Sequence, residues 1–408
     1  MTRVLFLTES FHPVLGGGEG HIRALGRDLV RAGHGVTVVT RRGEEAWPAE
    51  EMLEGMRVVR VAPSGPARTG KYRMVPSAMA ALHRLRPTYD VLVVRGTRVL
   101  GLPGVVSARA AGKRVVLQPE VNGELSGEVY TWGTSVAGTW VDRAVRTGTA
   151  ARNLLLRDAD AFVAMSRRIR DEMLAAGVAE EKAVLIPHGV DTARLRPAST
   201  EERAAARAHL GLPADACVIV YTGRLLRGKG LETLLAAFGR VAARVPAAHL
   251  LIVGSGAGQA LSVEDELRRT ADTSGLGSRV TFTGRLDDVA EELRASDVFA
   301  FPSIYEGLGI SLVEAAATGV PAVGSRTGGI VDVIEDGASG FLVTPGSASE
   351  LAARLEELAL DDASRARLGR RAREIAVARF DEGQALIRYR ALLAEAAAPV
   401  SRPLATAR

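Results

Sequence analysis

The chain has 408 residues, a length that favours two domains over one. Apolar residues make up 47% and charged residues 24%, the balance of an ordinary water-soluble globular protein. The single cysteine excludes an internal disulfide framework and a zinc ribbon. No apolar run approaches the ~20 residues that cross a bilayer, and no signal peptide opens the sequence, so we expect a cytoplasmic protein.

The formal charge of +5 is unevenly distributed. Residues 1–188 contain 26 Lys and Arg against 19 Asp and Glu, whereas the rest contains 26 against 28. Solvated helix faces explain this excess most simply. The alternative is a surface for an acidic acceptor or for anionic lipid at the inner face of the membrane, with segment 140–157 as a candidate amphipathic helix. No basic run is interleaved with aromatic residues, which argues against nucleic acid.

The first half begins as a parallel sheet begins. An apolar strand at Arg3–Thr8 is followed by a glycine-rich loop at Gly16–Gly18, a helix from His21 to Ala32 and a second strand at Val36–Thr40. Further strands are predicted at 58–62, 90–94, 114–118, 161–165 and 183–186, with helices between most of them.

The second half repeats this layout after an interruption near 187–191 and a linker at 196–200. Strands are predicted near 217–222, 248–253, 279–283, 297–301 and 320–324, and helices near 230–244, 263–275, 287–295 and 310–318. The stretch 348–397 is predicted to be largely helical. The pattern indicates an α/β protein with two doubly wound parallel-sheet domains, in which ligands bind at the carboxyl ends of the strands.

The segment Asp297–Gly319 is the most informative part of the sequence. A buried strand ends in a loop with Glu306, and Gly307 and Gly309 precede a helix that begins near Ile310. The free N–H groups of a helix start favour a phosphate there. Glu314 lies in the same helix, ~7 Å from its start at 1.5 Å per residue. Carboxylates on both sides of an anion site suit a nucleotide sugar, whose hydroxyl groups flank a diphosphate.

Two cations follow the first strand of the second half. Arg224 and Lys229 are set among Gly223, Gly228 and Gly230, where a helix is predicted to begin. Such a pair neutralises a diphosphate and the charge that grows on it as it departs.

These motifs together resemble glycosyltransferase family 4, the retaining GT-B glycosyltransferases, and the resemblance spans nearly the whole chain. Five segments match the family's pattern in the correct order: Phe11–Glu19, Ile186–Asp191, Gly223–Gly230, Glu306 with Glu314, and Gly319–Pro321 with Gly328–Gly329. The resemblance implies two Rossmann-like domains that face each other across a cleft. We expect an acceptor domain at 1–188, on which a helix at about 380–397 packs back, a donor domain at 189–379, and a disordered tail at 398–408.

The resemblance also implies roles for individual residues. Glu306 contacts the donor sugar, Glu314 the ribose, and the backbone around Arg285 the base. The implied donor site comprises Gly16, Gly17, Gly223, Arg224, Lys229, Gly254, Arg285, Leu286, Glu306, Gly307, Leu308, Gly309, Ile310 and Glu314. The implied reaction moves a hexosyl group from a nucleotide sugar, most commonly a UDP-sugar, to an acceptor hydroxyl with retention. The leaving phosphate oxygen takes the acceptor proton on the front face, and no cofactor or metal is expected.

One departure from the family affects the acceptor side. The family usually has a histidine after the fourth strand of the first domain, but Val115–Glu124 contains none. Glu120 occupies the equivalent place and is predicted to be catalytic, with His12, Asn122 and Glu124 as acceptor contacts. The sequence does not identify the acceptor, which is a saccharide, a lipid-linked saccharide or a small metabolite.

Two other functions compete with this interpretation. A Rossmann oxidoreductase is disfavoured because Gly16–Gly18 lacks G-x-G-x-x-G spacing and no acidic residue ends the second strand. A catalytically silent GT-B protein that binds nucleotide or carbohydrate is compatible with the missing histidine. The presence of all four donor-site residues, Arg224, Lys229, Glu306 and Glu314, argues against a loss of catalytic function.

Overall fold

The computed structural model describes residues 1–14, 16–65, 69–131, 138–259 and 261–398. The predicted tail therefore lies outside the described residues from 399 onward. The chain divides into two compact units, which we call unit 1 and unit 2. Unit 1 comprises Met1–Pro187 together with the chain from Gln384 on, and unit 2 comprises His188–Gly383.

Unit 1 is built on an eight-stranded sheet in which only the first pair along the edge is antiparallel. The order of its strands is β3-β4-β2-β1-β5-β6-β7-β8. The strands are β1 Arg3–Leu7, β2 Gly35–Arg41, β3 Glu50–Leu53, β4 Met56–Val61, β5 Val91–Arg95, β6 Arg114–Gln118, β7 Ala161–Ala164 and β8 Ala183–Leu185. Central strands such as β1 are continuous apolar runs because a parallel sheet is covered on both faces.

The helices of unit 1 connect these strands. They are α1 Gly17–Arg31, α2 Gly70–Arg73, α3 Val75–Leu85, α4 Leu102–Ala110, α5 Glu128–Thr131, α6 Trp140–Leu156 and α7 Arg167–Ala175. The first helix begins earlier than predicted, so Gly17 and Gly18 belong to its first turn and not to a loop. Glycine is tolerated there because the first N–H groups of a helix have no partner within the helix.

Unit 2 contains a six-stranded, fully parallel sheet of order β11-β10-β9-β12-β13-β14. Its strands are β9 Cys217–Thr222, β10 Ala248–Val253, β11 Val280–Gly284, β12 Val298–Phe301, β13 Ala322–Ser325 and β14 Gly340–Val343. Its helices are α8 Thr200–His209, α9 Leu231–Arg244, α10 Glu264–Thr273, α11 Ala290–Ala295, α12 Ile310–Ala317, α13 Ile330–Val333, α14 Ala348–Leu360 and α15 Asp362–Arg379.

The last helix, α16, spans Glu382–Ala397 and belongs almost entirely to unit 1. Its buried Tyr389 and Leu393 join the same apolar cluster as Phe6 of β1 and Ile22 of α1. Unit 1 therefore takes part of its core from the end of the chain.

Every strand predicted from the sequence is confirmed, with ends that differ by at most two residues. Two strands were not predicted. The first, β3, is an exposed edge strand of sequence Glu-Glu-Met-Leu, whose carboxylates are unusual in a strand. The second, β14, begins with Gly340, whose Cβ would collide with the carbonyl of Ala322 on the neighbouring strand. Among the described residues, no helix is both long and apolar enough to cross a membrane.

Candidate active site

The predicted donor residues of unit 2 lie on loops at one edge of its sheet. Because β11, β10, β9 and β12 are neighbours and parallel, the loops that follow them emerge at the same carboxyl edge. Those loops contain, in sheet order, Arg285 and Leu286, Gly254, Gly223 with Arg224 and Lys229, and Glu306 to Ile310.

Lys229 and Glu306 form an ion pair in this group. Lys229 Nζ donates to Glu306 Oε1 at 2.5 Å, and the two side chains are 23% and 12% exposed. The Ile304 N–H also donates to the Gly228 carbonyl at 2.9 Å, which ties the loop after β12 to the loop after β9. The predicted phosphate ligand and the predicted sugar ligand are thus held together before any ligand arrives.

Gly230 is required for this contact between the two loops. Its φ of +71° lies in the left-handed region, and a Cβ at this position would collide with the Pro302 carbonyl. Gly254 has a related role, since a Cβ there would collide with the Gly223 carbonyl.

Arg224 differs from Lys229 in having no side-chain partner. Its side chain is exposed, and it makes no hydrogen bond or ion pair with any residue that the structure describes. The Tyr221 hydroxyl fixes the backbone beneath it by donating to the Arg224 carbonyl at 3.2 Å. The guanidinium is therefore available to an anion.

Helix α12 begins next to these cations. Its N-cap is Gly309, with a φ of +89°, and no side chain caps its first turn. A Cβ on Gly309 would approach Phe301 Cε1 to 2.8 Å, so glycine is required for the close packing of the loop on β12. The uncapped helix start is a binding position for a phosphate group.

Glu314 lies one turn into α12 and is half-buried. Burial raises the pKa of Glu314 to about 7, Arg194 opposes this rise, and Asp288 adds to it. Arg194 and Asp288 themselves form an ion pair at 2.5 Å. Neither residue was predicted from the sequence, because neither belongs to a motif.

The predicted residues of unit 1 also gather at a carboxyl edge. Gly16 and Gly17 lie at the start of α1, after β1, and Glu120 lies after β6. Between them, Arg95 ends β5 and is 3.2 Å from Glu120 Oε1. Arg95 was not predicted from the sequence, although a charged residue at the end of an apolar strand is a visible signal.

The three predicted acceptor contacts differ in their surroundings. His12 is half-buried, and Asn122 is 8% exposed. Glu124 is 2% exposed and accepts from the Thr97 N–H and hydroxyl at 2.7 Å each and from the Glu120 N–H at 3.0 Å. The geometry therefore favours a structural role for Glu124 over the predicted acceptor contact, because its oxygens are already taken.

Trp140 opens α6 and is 75% exposed, which places it on the surface. Leu154 and Leu155 of the same helix are 60% and 56% exposed. The contact of this segment with an anionic membrane stays a prediction.

Among the described residues, no group of three His, Cys, Asp or Glu side chains is arranged to hold a metal ion. The absence of a metal requirement also stays a prediction.

Comparison with known proteins identifies the family. Residues 202–375 match the model for glycosyl transferases group 1, and residues 15–194 match the model for Glycosyltransferase Family 4. A GDP-mannose-dependent alpha-(1-6)-phosphatidylinositol monomannoside mannosyltransferase of Mycolicibacterium smegmatis is 30% identical over 90% of this chain and 91% of its own.

The chain belongs to glycosyltransferase family 4. A glycogen synthase of Mycobacterium tuberculosis is 28% identical over 93% of this chain and 91% of its own. These relatives are glycosyltransferases, and this chain is one as well.

Two solved structures have the same fold. Sucrose-phosphate synthase from Thermosynechococcus elongatus superimposes with a TM-score of 0.80 at 24% identity, over 97% of this chain and all of that one. Anabaena Alr3699/HepE in complex with UDP-glucose superimposes with a TM-score of 0.76 at 23% identity, over 97% of this chain and 100% of that one. The family 4 chain therefore has the GT-B fold, with its two parallel-sheet α/β domains.

Proposed function

We propose that this glycosyltransferase moves a hexosyl group from a nucleoside-diphosphate sugar to an acceptor hydroxyl with retention of configuration. The observation that supports this best is the unpaired Arg224 beside the Lys229–Glu306 pair and the uncapped start of α12. This arrangement offers a diphosphate two cations and the free N–H groups of a helix, with a carboxylate next to them for sugar hydroxyls.

The proposed reaction breaks the bond between the anomeric carbon and the diphosphate oxygen. Arg224 and Lys229 stabilise the charge that grows on this oxygen. The acceptor hydroxyl attacks the same face, and the departing oxygen takes its proton, so no protein nucleophile is used. Lys229 is already neutralised by Glu306, and Arg224 is therefore the group that attracts the incoming diphosphate.

The nucleotide and the acceptor are part of the proposal. We propose a UDP-sugar as the donor. GDP-mannose is the second candidate, because the 30% identical relative is named for it. We propose no metal cofactor, and the acceptor is a saccharide, a lipid-linked saccharide or a small metabolite.

A donor screen tests this function. Hydrolysis of UDP- and GDP-sugars is measured with EDTA and with Mg²⁺, and one nucleotide sugar should be turned over equally in both. Glu306→Ala should lower this turnover more than tenfold while the nucleoside diphosphate still binds, because its contacts are to the sugar.

Arg224→Ala should weaken nucleoside diphosphate binding about 10- to 100-fold, the loss of a charge-assisted contact worth ~1.5–3 kcal/mol. Arg227→Ala is the matched control, since Arg227 lies on the same turn and its weak ion pairs to Glu232 and Glu266 are 3.9 and 3.6 Å long. The proposal would be refuted if Arg224→Ala and Arg227→Ala bound the nucleoside diphosphate with equal affinity. It would also be refuted if no nucleotide sugar were turned over.

A further inference from the structure

Arg95 is a buried charge at the carboxyl edge of unit 1. The rest of β5, Val91–Val94, is apolar, and Arg95 itself is only 4% exposed. Removing a guanidinium from water is unfavourable unless its N–H groups find partners. The contacts of Arg95 therefore show what its burial accomplishes.

Arg95 contacts two elements that the site of unit 1 needs. Its Nη1 donates to the carbonyl of Gly18 in the first turn of α1, and its Nη2 lies 3.2 Å from Glu120 Oε1. A Cβ on Gly18 would collide with this guanidinium, so glycine at this position makes room for it. One side chain thus bridges the glycine turn after β1 and the loop after β6.

We propose that Arg95 is a positioning residue, which holds the Glu120 carboxylate and the first turn of α1 in one fixed arrangement. The inference rests on the proposed function and on the sequence-based prediction that Gly16, Gly17 and Glu120 belong to the site. It assigns no contact with substrate to Arg95, because the guanidinium is buried.

The backbone of the loop after β6 is already fixed by two other carboxylates. Glu124 accepts from the N–H of Glu120, and Glu172 of α7 accepts from the N–H groups of Gly123, Leu125 and Ser126 at 2.7 Å each. Only the direction of the Glu120 side chain, which is 41% exposed, is left for Arg95 to set.

The charges around Glu120 make Arg95 its main stabilising partner. Enclosure raises the pKa of Glu120 above its usual range, Arg95 lowers it, and Glu124, Glu19 and Glu9 raise it further. Without Arg95, Glu120 would face these three carboxylates, and no other cation in the described part of the chain lowers its pKa to a comparable extent.

Apart from the carboxylates around Glu120, the side chains whose pKa Arg95 affects, His21 and Tyr389, are uncharged near neutral pH. Burial, together with Arg95, lowers the pKa of His21 to about 3. Burial raises the pKa of Tyr389, whose hydroxyl accepts from Gln118 Nε2 at 2.9 Å. The charge of Arg95 therefore acts mainly on Glu120.

The first test measures the Glu120 carboxyl group in the protein without ligand. A ¹³C NMR titration of glutamate carboxyl groups identifies its signal by the loss in Glu120→Gln. In Arg95→Met we expect the midpoint to rise by at least about one pH unit, the effect of removing an opposite charge at this distance. Arg95→Lys keeps the charge, so its midpoint should stay near that of the parent.

The second test measures the α1 turn by hydrogen exchange of the peptide covering residues 16–24. Exchange should become several-fold faster in Arg95→Met and in Gly18→Ala, which displaces the guanidinium without deleting it. Arg98→Met is the matched control, because it removes an equal charge three residues after the end of β5, where Arg98 lies over the Tyr130 ring. It should change neither measurement.

Neither test requires turnover, so this inference and the proposed function can fail separately. If the screen finds no donor, the function fails while the position of Glu120 is still measured. If a donor is found, the apparent pKa of the acidic limb in the pH profile of kcat/KM should rise in Arg95→Met. This limb should disappear in Glu120→Gln. An unchanged Glu120 midpoint in Arg95→Met, or unchanged exchange in Gly18→Ala, would overturn the inference.

Discussion

Lys229 and Glu306 are 77 residues apart in sequence, yet their side chains pair at 2.5 Å. The pair makes the unliganded site nearly neutral at its centre and leaves the positive charge on the exposed Arg224. A donor that binds there exchanges one partner of Lys229 for another, which costs less than desolvating a free ammonium group. This explains how a lysine that is only 23% exposed can still serve an anion.

Glu314 ionises close to neutral pH. Its pKa of about 7 exceeds the usual value of a glutamate, because burial disfavours the charged form. The folded protein therefore keeps a proton that the unfolded chain loses near pH 4.5, so the free energy of unfolding falls as pH rises from about 4.5 to about 7 and levels off above that. If Glu314 contacts the ribose as predicted, binding has the opposite dependence, since the ionised carboxylate would accept from both ribose hydroxyls.

We expect the affinity for the nucleotide sugar to fall about tenfold between pH 8 and pH 6, as Glu314 takes up one proton. A nucleotide sugar is the right probe, because its diphosphate is esterified at both ends and keeps its charge over this range. Calorimetric titration at several pH values measures the effect. Glu314→Gln should bind with a flat profile. Parallel profiles for the two proteins would mean that Glu314 does not contact the nucleotide.

At the scale of elements, the conformation of the donor loops depends on glycines that lie too close to neighbouring atoms to allow a side chain. Gly230 begins α9 against the Pro302 carbonyl, and Gly309 begins α12 against the Phe301 ring. Two helix starts are thereby brought to the edge of two neighbouring strands, β9 and β12. The position of the phosphate site follows from these contacts.

Gly230→Ala should separate the loops after β9 and β12. The left-handed backbone alone costs an alanine about 1–3 kcal/mol, and the collision with Pro302 adds to it. Gly228→Ala is the control, because Gly228 has a φ of +91° but nothing within 4 Å of its Cβ. Both variants should lower the melting temperature, and only Gly230→Ala should weaken nucleoside diphosphate binding about tenfold or more. Equal losses of affinity in the two variants would show that backbone strain, and not the contact with Pro302, accounts for the effect.

At the scale of the whole molecule, the predicted donor residues are distributed unequally between the units. Unit 2 contains all of them except Gly16 and Gly17, and it has its own six-stranded sheet. A compact unit of this size with its own core is expected to fold alone.

A fragment of residues 188–383 should therefore bind the nucleoside diphosphate within about tenfold of the full chain, without transferring sugar. Calorimetry measures the binding, and circular dichroism checks that the fragment is folded. The fragment with Arg224→Ala provides the control for specific binding. A folded fragment that does not bind would show that unit 1 supplies essential donor contacts.

The sequence by itself determined every strand except β3 and β14, the order of these strands along the chain, the loops that contain the donor residues, and the family. These features depend on local patterns, since an apolar run forms a strand wherever it is buried, and glycines mark the turns that follow. The edge strand β3 was not predicted because its adjacent carboxylates, Glu50 and Glu51, resemble loop residues.

Only the tertiary structure decided which side chains meet. The pairs Lys229–Glu306 and Arg95–Glu120 join residues on different strand ends, and their geometry exists only once the sheets have assembled. The assembly of the unit 1 sheet also places Glu124 among backbone N–H groups that donate to it. These contacts favour a structural role for Glu124, which its position in the sequence did not reveal. The spacing of apolar residues along the sequence indicates which residues are buried. The partner of a buried charge, however, depends on the neighbours that folding brings from distant parts of the chain.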